Sequence, residues 1–154
     1  MTAATQTQER RRDLGETLEA LKEQRQKTLL SYCSLVGTNT PGKTSPDGIQ
    51  DIAPVALQEL LNIMVDYMAM GHFTVYQRII EGKERRGAVQ EAAEIAYPGI
   101  GETTDVMVEF NDTYENFTGS ADEQKQIRED LSKLGEMLAI RGELEDEILN
   151  ALLG

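Results

Sequence analysis

The sequence predicts an all-α protein: a helical bundle with a four-helix core plus short connecting helices. Three observations carry this. Apolar residues recur at spacings of three and four along most of the chain, the period of a helix with one buried face. No segment alternates apolar and polar residues long enough to form a strand. There is no internal repeat at 20–50 residues and no low-complexity tract. The 154 residues are read as one regulatory domain spanning 1–154, with 1–8 as a flexible N-terminal tail.

Leu14, Leu18, Leu21, Thr28/Leu29, Tyr32 and Leu35/Val36 define the stripe of a long first helix, about residues 6–36, ended by Gly37. The next segment, from Thr38 to Gly48, is dense in loop residues. Asp51 is the expected N-cap of a second helix, with Pro54 in its first turn. Leu57, Leu60/Leu61, Met64 and Met68 form its core stripe, and Gly71 interrupts it. His72, Val75/Tyr76 and Ile79/Ile80 continue it as another helix or a bent extension, stopping near Gly82. A short Ala-rich helix is expected over 85–96, broken by Pro98, Gly99 and Gly101. Another helix carries Val106/Met107, Phe110, Thr113/Tyr114 and Phe117. After Gly119-Ser120 comes the last helix, about 121–152, with Ile127, Leu131, Leu134, Met137/Leu138, Leu144, Ile148 and Leu152 on its stripe.

Composition narrows the function. Apolar residues make up 40% and charged residues 27%, the balance of a soluble globular protein. No run of about 18 apolar residues exists to span a membrane, and residues 1–12 hold no apolar signal core. A cytoplasmic protein is expected. One cysteine, Cys33, and one histidine, His72, cannot supply a Cys/His zinc cage, so no metal or cofactor is expected. The net charge of −12 is uneven: residues 1–43 are net +2 and the remainder net −14. So acidic a body repels nucleic acid and anionic membrane and attracts basic surfaces.

Four features invite a chemical reading. Gly37-Thr-Asn-Thr-Pro-Gly-Lys-Thr44 matches the phosphate-loop pattern G-x-x-x-x-G-K-[ST] in letters. That chemistry needs a strand before the loop and a helix after it. Here a helix precedes it and Ser45-Pro46-Asp47-Gly48 follows, so it reads as an interhelical connection. Arg25 and Arg141 sit inside apolar stripes, where a cation must snorkel or pair; an internal salt bridge joining helices is the first reading and a binding role the second. His72 has no nucleophile or orienting carboxylate at a recognisable spacing, so it reads as packing or interface. Finally, a turn of about 100° per residue gathers Asn62, Asp66, Ala69 and Phe73 on the second helix, off its core stripe. An aromatic beside a carboxylate suits a basic, partly apolar partner, unless another helix covers this face. Met70 and His72, flanking Gly71, complete the candidate partner-binding set.

The segment Val65-Asp-Tyr-Met-Ala-Met-Gly-His-Phe-Thr-Val-Tyr-Gln-Arg-Ile79 resembles the V-D-Y-x-x-x-G-H-F-x-x-Y-x-R-I stretch of the Rsd/AlgQ family. These are bacterial regulators of the housekeeping sigma factor. Leu35-Val36-Gly37, Pro41-Gly42-Lys43 and Leu138-Ala-Ile-Arg-Gly-Glu-Leu-Glu-Asp146 are similar to other stretches of that family, in the same order. The likeness covers about residues 16–150. It implies a non-enzymatic anti-sigma factor, acting at the turn to stationary phase. Such a protein would bind the promoter-reading C-terminal region of the primary sigma factor and withhold it from core RNA polymerase. It also implies that Asp66 and Phe73 lie at the sigma contact, and that the loop at Gly42-Lys43 is a family loop. Some family members bind the phosphocarrier protein of the sugar phosphotransferase system and act in the stringent response, which is the alternative reading. A small helical nucleotide-processing enzyme is a remote one: Glu143, Glu145, Asp146 and Glu147 offer charge but no Glu-x-x-His pair. The chain departs from the family at Glu19-Ala20-Leu21, where an Asp-Arg-Trp is usual, and at Gly142, where a large residue is usual.

Overall fold

Periodic apolar stripes on long segments leave the chain one economical way to hide them, which is to pack helix against helix. A computed structural model describes residues 3–37, 51–76, 79 and 86–153, without the side chains of 3–14, 74 and 75. Among the described residues four long helices make up the fold: α1 (Ala3–Gly37), α2 (Pro54–Gly71), α3 (Gly87–Tyr114) and α4 (Ala121–Leu153). A π-helical turn, His72–Tyr76, extends α2. No strand occurs among the described residues. The all-α bundle is as the spacing predicts. The loop at 38–50 lies outside the described residues.

Contacts between side chains set the directions. Tyr114 donates to Asp130, while Arg141 donates to Thr103 at 3.1 Å, so α3 and α4 run antiparallel. Tyr32 donates to the Leu131 carbonyl at 2.7 Å and Arg25 to the Gly142 carbonyl at 3.3 Å, so α1 also runs against α4. The core lies between them: Leu18 and Leu21 of α1; Leu57, Leu60, Leu61 and Met64 of α2; Ala96, Ile100 and Met107 of α3; and Leu134, Leu138 and Ile148 of α4.

Three local expectations change. Asp51 is not the cap of α2. That position belongs to Ala53, with Pro54 first in the helix and no side-chain cap bond. Asp51 lies two residues too early, because Ile52 is buried and clamped on both sides by one side chain. The Ile52 N–H donates to Gln124 Oε1 at 2.7 Å, and Gln124 Nε2 donates to the Ile52 carbonyl at 2.8 Å. Asp51 pairs instead with Arg128 of α4 at 3.1 Å.

The helices expected at 85–96 and 106–117 are one continuous helix, α3, and the predicted break at Pro98 does not occur. The proline costs the bond to the Glu94 carbonyl, but both residues lie on the exposed side, where water can take that acceptor. Val89, Ala93, Ala96, Ile100, Thr103, Met107, Phe110 and Tyr114 form an unbroken buried stripe that outweighs that loss. Gly99 is a contact point and not a breaker, since a Cβ there would come 2.6 Å from Leu144 Cδ1 of α4. The helix ends at Tyr114, and Phe117 packs on the core from the connection.

On α2 the buried residue after Met64 is Tyr67, while Met68 is only half-buried. The start of α4 carries a reciprocal cap. The Glu123 N–H donates to Ser120 Oγ at 3.3 Å, and the Ser120 N–H donates to Glu123 Oε1 at 3.2 Å. Bonds from the Thr118 side chain and from Ser120 hold the Glu123 carboxyl below its ordinary pKa.

Candidate partner-binding face

Helix α2 buries Leu57, Leu60, Leu61, Met64 and Tyr67, so its opposite side must face outward. Asn62, Asp66 and Ala69 are exposed there, and no other helix among the described residues covers them. Gln58 Nε2 donates to Asn62 Oδ1 at 3.0 Å one turn below. After Gly71 the backbone widens into the π-helical turn, beginning where the His72 N–H donates to the Met68 and Ala69 carbonyls. Phe73 leaves this turn with 68% of its surface exposed. His72 is exposed beside it, the two rings edge to face with centroids 4.9 Å apart. Met70 differs from the other five, because it is half-buried and packs on the core.

A buried polar cluster lies beneath this face. Glu145 of α4 is 1% exposed and accepts hydrogen bonds from both Tyr67 and Tyr76, one on each carboxylate oxygen. Arg141, also 1% exposed, places Nε 3.7 Å from Glu145 Oε2. Its Nη1 donates to Thr104 at 2.7 Å and to Thr103, and its guanidinium lies 5.3 Å from the centre of the Tyr67 ring. Arg25 reaches in from α1, 2.9 Å from Asp146 and 3.6 Å from Glu145. Two cations and two anions therefore balance where four segments meet. Burial, then the Glu145 charge, pushes the Tyr67 hydroxyl far above its ordinary pKa, and the same two causes act on Tyr76. Burial works against the Arg25 charge, yet Asp146 and Glu145 leave its pKa raised.

The salt bridge joining helices that the stripes predict is present for Arg25, which links α1 to α4. The ion pair of Arg141 instead lies within α4, four residues from Glu145, and Arg141 reaches α3 by its hydrogen bonds to Thr103 and Thr104. The apolar stripes alone do not point to Glu145, Tyr67 and Tyr76 as partners of these arginines. Glu145 stands in an acidic run that looks solvated, but it lies four residues after Arg141 on the same stripe, and that spacing was the available signal. Gly142 contributes its carbonyl to Arg25, at a point where a Cβ would approach Arg25 Cδ to 3.8 Å.

Among the described residues no group of three or more His, Cys, Asp or Glu side chains could hold a metal ion. No helix among them is long and apolar enough to cross a membrane. The family model described as "Regulator of RNA polymerase sigma(70) subunit, Rsd/AlgQ" matches residues 1–153. The chain belongs to the Rsd/AlgQ family. Among its Rsd/AlgQ relatives, a protein named regulator of sigma D from Yersinia enterocolitica serotype O:8 is 30% identical over 137 residues, covering 88% of this chain and 79% of that protein. One of the same name from Salmonella paratyphi A is 32% identical over 125 residues, covering 81% and 74%. One from Yersinia pseudotuberculosis serotype O:1b is 28% identical over 138 residues, covering 88% and 78%. These Rsd/AlgQ relatives are named for regulation and not for catalysis. No solved structure matches the chain.

Proposed function

We propose that this Rsd/AlgQ protein is an anti-sigma factor that binds the promoter-reading C-terminal region of the housekeeping sigma factor, in the cytoplasm, and occludes it from core RNA polymerase and from promoter DNA. The observation that carries this reading is the open side of α2 and its extension, where Asp66 is exposed and Phe73, in the π-helical turn after Gly71, stands 68% exposed. An exposed ring and an exposed anion fit a partner that is basic because it grips phosphates and apolar between its cations. The excess negative charge of residues 44–154 supports it, since the same field that draws a basic partner repels DNA. The mechanism is occlusion and needs no covalent step. Asp66 accepts hydrogen bonds from an Arg or Lys of sigma, and Phe73 buries its ring in an apolar notch beside that cation.

Titration calorimetry with the C-terminal region of sigma tests this. Asp66→Ala and Phe73→Ala are each expected to weaken binding by about 1–3 kcal/mol, the range for a charge-assisted pair or an interface anchor. Wild-type affinity in both variants would remove the proposed face.

A further inference from the structure

Among the described residues the Phe73 ring meets only the ring of His72, itself exposed, so the backbone holds Phe73. The direction in which it leaves the protein is therefore set by the π-helical turn. A π-helical turn is rare and short, so its surroundings must select it over an ordinary α-helical one. What selects it is visible below the turn. Tyr76 closes the turn, and its hydroxyl donates to Glu145 on α4. Tyr67, just before Gly71, donates to the other oxygen of the same carboxylate. The stretch from 67 to 76 is thus pinned at both ends by a single buried anion. Gly71 makes room for this, since a Cβ there would lie 3.0 Å from Tyr76 Cε2. From the other side Tyr97 of α3 donates to the Tyr76 carbonyl at 3.2 Å and meets its ring edge-on at 5.8 Å.

We propose that Glu145 is a positioning residue for partner docking: by accepting the Tyr67 and Tyr76 hydroxyls it fixes the π-helical turn, and through the turn it fixes the direction of Phe73. This rests on the docking reading above. Glu145, 1% exposed, touches no partner itself. Arg141 and Arg25 keep it charged-paired in place, so the two tyrosines meet a fixed acceptor.

A double-mutant cycle between Tyr76→Phe and Phe73→Ala tests it, with affinity for the C-terminal region of sigma as the readout. Tyr76→Phe keeps the ring and removes only the hydroxyl that reaches Glu145. It is expected to weaken binding about tenfold in the wild-type background, the size of one lost buried hydrogen bond. In the Phe73→Ala background it is expected to have an effect below about twofold, because the ring it positions is gone. An equal effect in both backgrounds, or none in the wild-type background while Phe73→Ala binds weakly, overturns the positioning role alone. Unchanged binding by Phe73→Ala overturns the docking reading beneath it. If Tyr76→Phe does not fold, Tyr97→Phe, which loosens the same turn through the Tyr76 carbonyl, replaces it in the cycle with the same outcomes expected.

Discussion

Glu145→Ala is expected to lose about 3–5 kcal/mol of folding stability, the cost of breaking a buried ion pair by removing one partner. The substitution leaves Arg141 buried at 1% exposure without its counter-charge, and leaves the Tyr67 and Tyr76 hydroxyls without an acceptor. Each orphaned hydroxyl adds a desolvation cost of about 1–3 kcal/mol unless water enters the gap. Replacing Arg141 and Glu145 together by Met and Leu is expected to recover most of the loss, because no buried charge then remains. The stability of a buried charged cluster thus lies in its completeness. Denaturant melts of the single and the double variant provide the check. A Glu145→Ala melt within about 1 kcal/mol of wild type would mean that water already serves these groups.

Leu61→Ala is the second large loss, at about 2–5 kcal/mol, through a cavity in the centre of the bundle. Leu61 is 1% exposed and packs in the core, whereas Phe73 on the same helical extension is 68% exposed. Phe73→Ala is accordingly expected to stay within about 0.5 kcal/mol of wild type. Parallel melts of the two variants separate core from surface directly. A Phe73→Ala protein as unstable as Leu61→Ala would place that ring inside and remove it from any docking surface.

The helical architecture was legible because period-three-and-four spacing depends on local sequence alone. The stripe on α2 predicts the burial of Leu57, Leu60, Leu61 and Met64, though Tyr67 and not Met68 completes it, and its complement predicts that Asn62, Asp66, Ala69 and Phe73 face out. What failed was tertiary in origin. Pro98 and Gly99 read as a break, yet the continuous stripe on α3 and the close approach of Leu144 keep the helix whole. Asp51 reads as a cap, yet Gln124 holds the neighbouring backbone and Arg128 takes the carboxylate. Glu145 reads as solvated because its neighbours Glu143, Asp146 and Glu147 are exposed. Only the partners of its own face, on α1, α2 and α3, reveal a buried anion. The π-helical turn has no periodic signature at all, since its register depends on Tyr76 finding Glu145.

The union of Arg25 with Asp146 also bears on the order in which the bundle assembles. These residues stand 121 positions apart in the chain, whereas α3 and α4 are joined through residues 115–120. Closing the short connection costs little chain entropy, and closing the long one costs more. The α3–α4 hairpin can therefore nucleate alone and present Arg141 and Glu145 to the rest. Helix α1 packs chiefly on α2, its neighbour in the chain, so it is expected to bring the second cation to those anions together with α2. The same order run backwards is expected to loosen α1 before the hairpin, and native-state hydrogen exchange checks this as lower opening free energies along α1 than along α3 and α4. An Rsd/AlgQ bundle built this way can loosen one wall while the hairpin carrying Glu145 remains intact.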